Sequence, residues 1–229
     1  ILFRLKKTKM NKKSLWDYIV SKNHIIPSPL GNKLGIPVLR TILADLIIKL
    51  RRLKNCRPKS DYENKLIEDG IIVIPNFLPE EEFKIIQKHM LSNNFPYYFH
   101  GFVAEEWDNN NFYFNHLIFE DHKPRSEFFE ALHNVYIKLN VVSLIRIKAN
   151  CFPRTEKLIE YGNHVDYKFE HKGALFSINT CNGGTFIGKK FIPSVANRML
   201  LFDSHKKHRS TNCTDEPCRV NIYFNYFSL

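Results

Sequence analysis

No run of apolar residues in this 229-residue chain approaches the roughly 20 needed to span a bilayer, which reads against a membrane-spanning helix. Cysteine is scarce: five residues, an odd number, without the dense spacing of a secreted disulfide scaffold. That usage suits a reducing, cytoplasmic setting. The first residues are basic but lack an apolar core followed by a cleavage site, so no secretion signal is expected. The chain begins at Ile1, and Met10 followed by Asn-Lys-Lys reads as an ordinary start, which would make residues 1–9 upstream sequence.

Acidic residues are nearly missing from the first quarter. Residues 1–60 carry 15 Lys/Arg against 2 Asp/Glu, a charge of +13, whereas residues 61–229 carry 19 against 21, which is −2. The net charge of +11 therefore belongs to an N-terminal extension and says little about any pocket further on. Within 1–60, a short helix is expected near Ser14–Ser21. From Pro37 to Leu53 the leucines at 39, 43, 46, 50 and 53 fall at helical spacing, with Arg40, Lys49, Arg51 and Arg52 between them. Such a basic amphipathic helix reads first as packing on the outside of the main domain, with a partner or an anionic surface as the alternative. Cys56–Ser60 reads as the linker, giving domains 1–60 and 61–229.

With 44% hydrophobic and 14% aromatic residues the chain has the means to build a core. Gly70 opens an apolar strand that turns at Pro75-Asn76 into a helix beginning Glu80-Glu81-Glu82, acids placed against the positive end of the helix dipole. Phe95–Phe119 is aromatic-rich and irregular, readable as a lid or as a loop packed on the domain's end. Pro124–Asn140 reads as a helix. Strands are expected over Val141–Asn150, Gly173–Thr180, Thr185–Ile187, Arg198–Phe202 and Arg219–Phe227, with a tight turn at Asn182-Gly183-Gly184. The fold class is mainly β with flanking helices, a double-sheet jelly roll. Neither internal repeats nor low-complexity tracts interrupt it.

The chemistry concentrates between Tyr161 and Asn225. Read as a strand, His164-Val165-Asp166 sends the imidazole and the carboxylate out of one face. A third donor is available in the stretch Ser204-His205-Lys206-Lys207-His208, with His208 the candidate. Two imidazoles and one carboxylate are the facial set that binds non-haem Fe(II) and leaves positions open. Arg219 follows eleven positions on, and arginine offers a planar fork for a carboxylate. In strand Arg219–Phe227, Arg219, Asn221, Tyr223 and Asn225 share one face. Val220, Ile222, Phe224 and Tyr226 share the other. Over Val141–Asn150, Arg146, Lys148 and Asn150 oppose Ile145, Ile147 and Ala149. Arg146 and Lys148 read equally as anion-binding or as solvated. His205, His208, Cys213 and Cys218 form a competing zinc set, but a Cys spacing of five is not the usual knuckle.

These residues resemble the His-x-Asp, distal His and following Arg of the 2-oxoglutarate- and Fe(II)-dependent dioxygenases. The stretch from about Asp69 to Tyr226 is similar to small prolyl-hydroxylase-like and phytanoyl-CoA-hydroxylase-like members, including ones carried by marine phages, which points to a phage or bacterial source. The resemblance implies a double-stranded β-helix (jelly-roll, cupin-like) core, with His164, Asp166 and His208 as catalytic Fe(II) ligands. Its spacing, a ligand five residues after Phe-Asp, selects His208 over His205 and leaves His205 and His171 as rim or structural residues. It implies O2 and 2-oxoglutarate as co-substrates, ascorbate as an optional reductant, and Arg219 on the distal carboxylate of 2-oxoglutarate. The usual hydroxyl helper is replaced by Asn221, leaving Asn150, Tyr161 and Thr211 as candidate substitutes. Retention of Asp166, where related halogenases carry a small residue, implies hydroxylation of an unactivated C–H with release of succinate and CO2. The substrate class stays open between small molecules and peptides. The alternatives are a non-catalytic jelly-roll binding module and an oxygenase acting on nucleic acid through residues 1–60.

Overall fold

The computed structural model describes the backbone of residues 66–67 and the whole of residues 70–104 and 111–228. The expected helices at 14–21 and 37–53, the linker, the boundary between 1–60 and 61–229, and Trp107 lie outside the described residues.

Among the described residues, twelve strands and three helices follow one another as β1 (Leu66–Ile67), β2 (Ile71–Ile74), α1 (Glu80–Met90), β3 (Tyr98–His100), β4 (Tyr113–Glu120), β5 (Lys123–Pro124), α2 (Phe128–Ala131), α3 (His133–Lys138), β6 (Val141–Pro153), β7 (Lys172–Ser177), β8 (Gly184–Ile187), β9 (Lys190–Pro193), β10 (Arg198–Asp203), β11 (His208–Ser210) and β12 (Cys218–Ser228). The large sheet runs β1-β2-β10-β7-β12-β6-β4-β3, with β5 on β4, and the small one runs β11-β8-β9. Single bridges from Glu160 to Thr211 and from His164 to His208 lay residues 160–164 beside β11 as a ragged fourth strand of the small sheet. From β6 onward the chain therefore shuttles between sheets: β6 large, 160–164 small, β7 large, β8 and β9 small, β10 large, β11 small, β12 large. All these pairings are antiparallel. This is the double-stranded β-helix that the strand spacing predicts.

The helices cover one face of the large sheet. Gly70, at φ +77°, takes a left-handed conformation that suits glycine and turns the chain into β2. Helix α1 carries Glu80, Glu81 and Glu82 in its first turn and buries Phe83, Ile86 and Met90 along one stripe. Phe83 meets Phe176 of β7 edge-on, with ring centroids 5.8 Å apart. Two expectations needed correction. The helix expected over Pro124–Asn140 is a strand pair at Lys123–Pro124 followed by two short helices. The break falls where Leu132 N–H bonds to Phe129 O (3.2 Å), an i→i+3 turn that lets Leu132, Val135 and Leu139 all reach the core. Asn140, at φ 52°, closes α3 in the left-handed position common just past helix ends. The aromatic stretch 95–119 is also not mainly loop: β3 and β4 pair from Tyr98↔Asn115 to His100↔Tyr113.

The other face of the large sheet meets the small sheet. Leu175, Leu200, Phe202 and Tyr223 pack there against Ile187 and Ile192. Beside that apolar plug, the same face of β6 and β12 is polar, and the site lies there.

Candidate active site

His164 and His208 are locked together by their backbones. His164 N–H donates to His208 O and His208 N–H to His164 O, both at 3.0 Å, so the rings lie side by side with centroids 4.6 Å apart. Each ring also has its tautomer fixed. His164 Nδ1 faces Gly162 O at 3.2 Å and His208 Nδ1 faces Lys206 O at 3.0 Å. A carbonyl only accepts, so each Nδ1 carries the proton and each Nε2 keeps its lone pair for a metal. Burial, and then the neighbouring His208, push the His164 pKa down, which favours the neutral, ligating form.

Asp166 comes from irregular backbone instead of the strand expected, and only His164 makes a bridge. Its carboxylate is aimed by what grips it. Arg146 donates to Oδ1 at 2.7 Å, Ser204 Oγ to Oδ2 at 2.9 Å, and Asn225 Nδ2 to Oδ2 at 3.3 Å. His208 Nε2 lies 3.4 Å from Oδ2. Burial alone would raise the Asp166 pKa. The hydrogen bond and charge that His208 supplies when its ring is protonated, with Arg146 beyond, outweigh it and hold the carboxyl far below its usual range. Ser204 Oγ is in turn bonded to Tyr223 Oη, and His171 Nε2 accepts from Asn225 Nδ2 at 3.1 Å. One ligand atom from each of His164, Asp166 and His208 lies within 4.8 Å of the others, a cluster able to hold a metal ion. His205 and His171 are not part of it.

Arg219 begins the polar row of β12 and is buried to 1% exposure. Its guanidinium donates to Thr211 O (2.9 Å), Thr185 Oγ1 (2.8 Å) and, more loosely, Ser210 Oγ (3.4 Å). All these acceptors are neutral. No carboxylate pairs with it among the described residues, and its Nε has no partner. Burial pushes its pKa down to about 10, against the upward pull of the Cys181 and Cys213 thiols. A buried guanidinium without a counter-ion is costly by itself and suits an incoming carboxylate. The Asn182-Gly183-Gly184 turn makes room for it. A Cβ on Gly183 would stand 1.9 Å from Asn212 O and 3.0 Å from Arg219 Cδ.

Asn150 and Asn221 lie between the two ends, in register across β6 and β12, and share a bond of 2.9 Å. Asn150 Oδ1 and Asn221 Nδ2 are left without partners. Tyr161 stacks on Phe152 (centroids 5.6 Å apart), the ring under the Arg219 guanidinium. Thr211 uses its hydroxyl on the backbone, accepting from Gly184 N and donating to Asn212 O, so it touches Arg219 through its carbonyl.

The zinc set suggested by the sequence is not assembled. His208 joins His164 and Asp166, Cys213 lies with Cys181 and Asp215, and Cys218 is a free thiol beside the free thiol of Cys151. Sequence reasoning missed Ser204, Thr185 and Ser210, whose short polar side chains carry no spacing signal. It left Arg146 undecided, although its alternation with Ile147 was visible.

No protein-family model matches the chain, and no curated protein matches it in sequence. Solved structures do. An oxidoreductase of the 2OG-Fe(II) oxygenase family from Burkholderia pseudomallei aligns over 75% of this chain and 93% of its own, with a TM-score of 0.56 at 11% identity. The non-haem α-ketoglutarate-dependent carbocyclase SnoK of nogalamycin biosynthesis aligns over 76% and 85%, at 0.52 and 10%. A Trichoplax adhaerens prolyl hydroxylase, solved with a hypoxia inducible factor peptide fragment, aligns over 80% and 92%, at 0.50 and 16%. At such identities the likeness is one of architecture: the chain shares the jelly-roll fold of these structures.

Proposed function

We propose that this protein is an Fe(II)- and 2-oxoglutarate-dependent dioxygenase that hydroxylates an unactivated C–H bond. The observation that carries the reading is Arg219: a fully buried cation with only neutral partners and an idle Nε, on the strand whose polar row leads to the His164, Asp166 and His208 donors. A metal cluster alone would be a weaker sign. Donors from the small sheet and its flanking loop, with a guanidinium from the large sheet, supply what a metal and a dicarboxylate together require.

In this reading His164, Asp166 and His208 hold Fe(II), and Arg219 holds the distal carboxylate of 2-oxoglutarate, with Thr185 and the Thr211 carbonyl fixing the fork. The idle amide atoms of Asn150 and Asn221 give the co-substrate further polar contacts, and Tyr161 with Phe152 excludes water from that end. Bound iron, with 2-oxoglutarate and O2, supplies the oxidising chemistry and releases succinate and CO2. The protein's part is orientation. Arg146 and Ser204 each occupy one oxygen of Asp166 and set the direction in which the carboxylate faces the ion. Because a carboxylate is retained at 166, hydroxylation is favoured over halogenation. Residues 61–229 form the catalytic domain in this reading, and 1–60 an appendage.

The test is Fe(II)-dependent conversion of 2-oxoglutarate to succinate by the purified full chain. Asp166→Ala and His208→Ala are each expected to lower it by more than about a hundred-fold, since even residues that only support a ligand are worth about 10–100-fold in metal affinity. Full turnover in either variant would remove the ligand assignment.

A further inference from the structure

Three cations face the site from the large sheet, and two are committed. Arg146 is spent on Asp166, and Arg219, at the far end among neutral oxygens, is assigned to the 2-oxoglutarate carboxylate. The third, Lys148, stands on the same face of β6 between Arg146 and Asn150, opposite Tyr223 of β12 and Leu117 of β4. Its ammonium donates to Tyr113 Oη at 2.9 Å and lies 5.3 Å from the centroid of that ring. No carboxylate reaches it among the described residues.

Tyr113 is just as unspent. Its hydroxyl oxygen accepts from Lys148 and from Asn115 Nδ2 (3.3 Å), so its own hydrogen is left to donate. Lys148 and Tyr113 therefore present free N–H and O–H donors side by side. They are on the β4 side of the metal donors, while Arg219 sits opposite Phe152, four residues further along β6. At about 3.3 Å per residue that is a separation of about 13 Å along the strand, too far for one carboxylate to bridge.

Charge points the same way. In the loaded site, Fe(II), Arg146, Lys148 and Arg219 carry five positive charges. Asp166 and 2-oxoglutarate carry three negative ones. The excess falls on side chains that are half-buried or, for Arg219, fully buried, where opposite charges attract strongly and unbalanced ones are costly.

We propose that Lys148, with the Tyr113 hydroxyl, anchors an anionic group on the substrate, a carboxylate or a phosphate, and so selects acids over their neutral analogues. The inference rests on the dioxygenase reading above.

The full chain, loaded with Mn(II) and 2-oxoglutarate under anaerobic conditions, is titrated with hexanoate, hexyl phosphate, methyl hexanoate and hexanol. Paramagnetic broadening of each probe's proton signals reports both affinity and nearness to the metal, and calorimetry gives the 2-oxoglutarate affinity. At least one anion should bind near the metal about ten-fold more tightly than its neutral partner, as a charged hydrogen bond requires, and the tighter anion identifies carboxylate or phosphate. Lys148→Met should remove that preference while 2-oxoglutarate affinity stays within about two-fold. Lys148→Arg should restore it, and Tyr113→Phe should weaken it in part. Equal binding of anion and neutral partner, or broadening of none of the probes, overturns the proposal, and the wild-type protein alone decides this. A Lys148→Met loss that falls on 2-oxoglutarate instead also overturns it, by giving the lysine to the co-substrate. Wild-type protein that binds neither Mn(II) nor 2-oxoglutarate refutes the dioxygenase reading itself, a distinct result.

Discussion

The two faces of β12 are equally removed from water and are built from opposite materials. Ile222 and Asn221, adjacent in sequence, are both at 0% exposure. Val220, Ile222, Phe224 and Tyr226 join the core beneath the helices, where Phe176 meets Phe77 and Phe83 edge-on at 5.7 and 5.8 Å. Arg219, Asn221, Tyr223 and Asn225 face the small sheet. The apolar face completes itself. The polar one does not: of seven buried side-chain polar atoms without a partner among the described residues, four belong to Arg146, Asn150, Arg219 and Asn221 on this face. Each such group costs on the order of 1–3 kcal/mol, so an architecture serving only stability would have replaced them. The helix face holds the fold together, and the site face leaves polar atoms unpaired at a cost in stability, as the proposed site requires.

That division can be broken from either side. Phe224→Ala should cost about 3–5 kcal/mol in urea unfolding, the usual range for a buried aromatic, while the folded variant keeps its 2-oxoglutarate affinity. A loss confined to co-substrate binding would show that the faces are not separable. Arg219→Met should do the reverse, lowering 2-oxoglutarate affinity by about a hundred-fold while the thermal midpoint of the ligand-free protein holds or rises, because an unpaired buried charge has been removed. Arg219→Lys should not rescue binding, since a point charge does not reproduce the fork. A clear fall in the midpoint for Arg219→Met would mean that the guanidinium is structural.

A finer division is expected within the site face. Arg146→Met should weaken metal binding by about ten-fold, as loss of a group that aims a ligand does, with 2-oxoglutarate contacts at the Arg219 end unaffected at saturating metal. The smallest effect belongs to Asp203, at the exposed margin. It is bonded to Lys172 at 2.6 Å, and that bond and then Lys206 hold its pKa down against a modest burial effect. A depressed carboxyl stabilises above its unfolded value of about 3.9 and loses that contribution as pH falls through the folded value. Asp203→Asn should therefore cost less than about 1 kcal/mol at neutral pH, with the difference fading at pH 3 and in high salt. A larger cost at pH 7 would make the margin part of the core.

Much of this was legible before folding. The alternation in β12 and β6 is a local property of period 2, so Arg219, Asn221, Asn150, Arg146 and Lys148 could be assigned to one face without knowing what lay above it. The acidic start of α1 and the Gly-Gly turn were equally local. Where local signals competed, the reading failed. Pro124–Asn140 has helical composition, yet the pairing of Lys123–Pro124 with β4 and the burial of Leu132 divide it. The aromatics of 95–119 suggested a loop because three short apolar runs are ambiguous until a neighbouring strand claims them.

Sequence by itself determined which residues share a face and that His164 and Asp166 would emerge close together, since bond geometry over two or three residues suffices for both. Tertiary structure alone decided that Arg146 serves Asp166, that Ser204 reaches the same carboxylate, and that Thr185 and Thr211 take hold of Arg219. Those partners lie 20, 38, 34 and 8 positions away, and their meeting depends on strand register and on how two sheets stack, which one residue of slippage would undo.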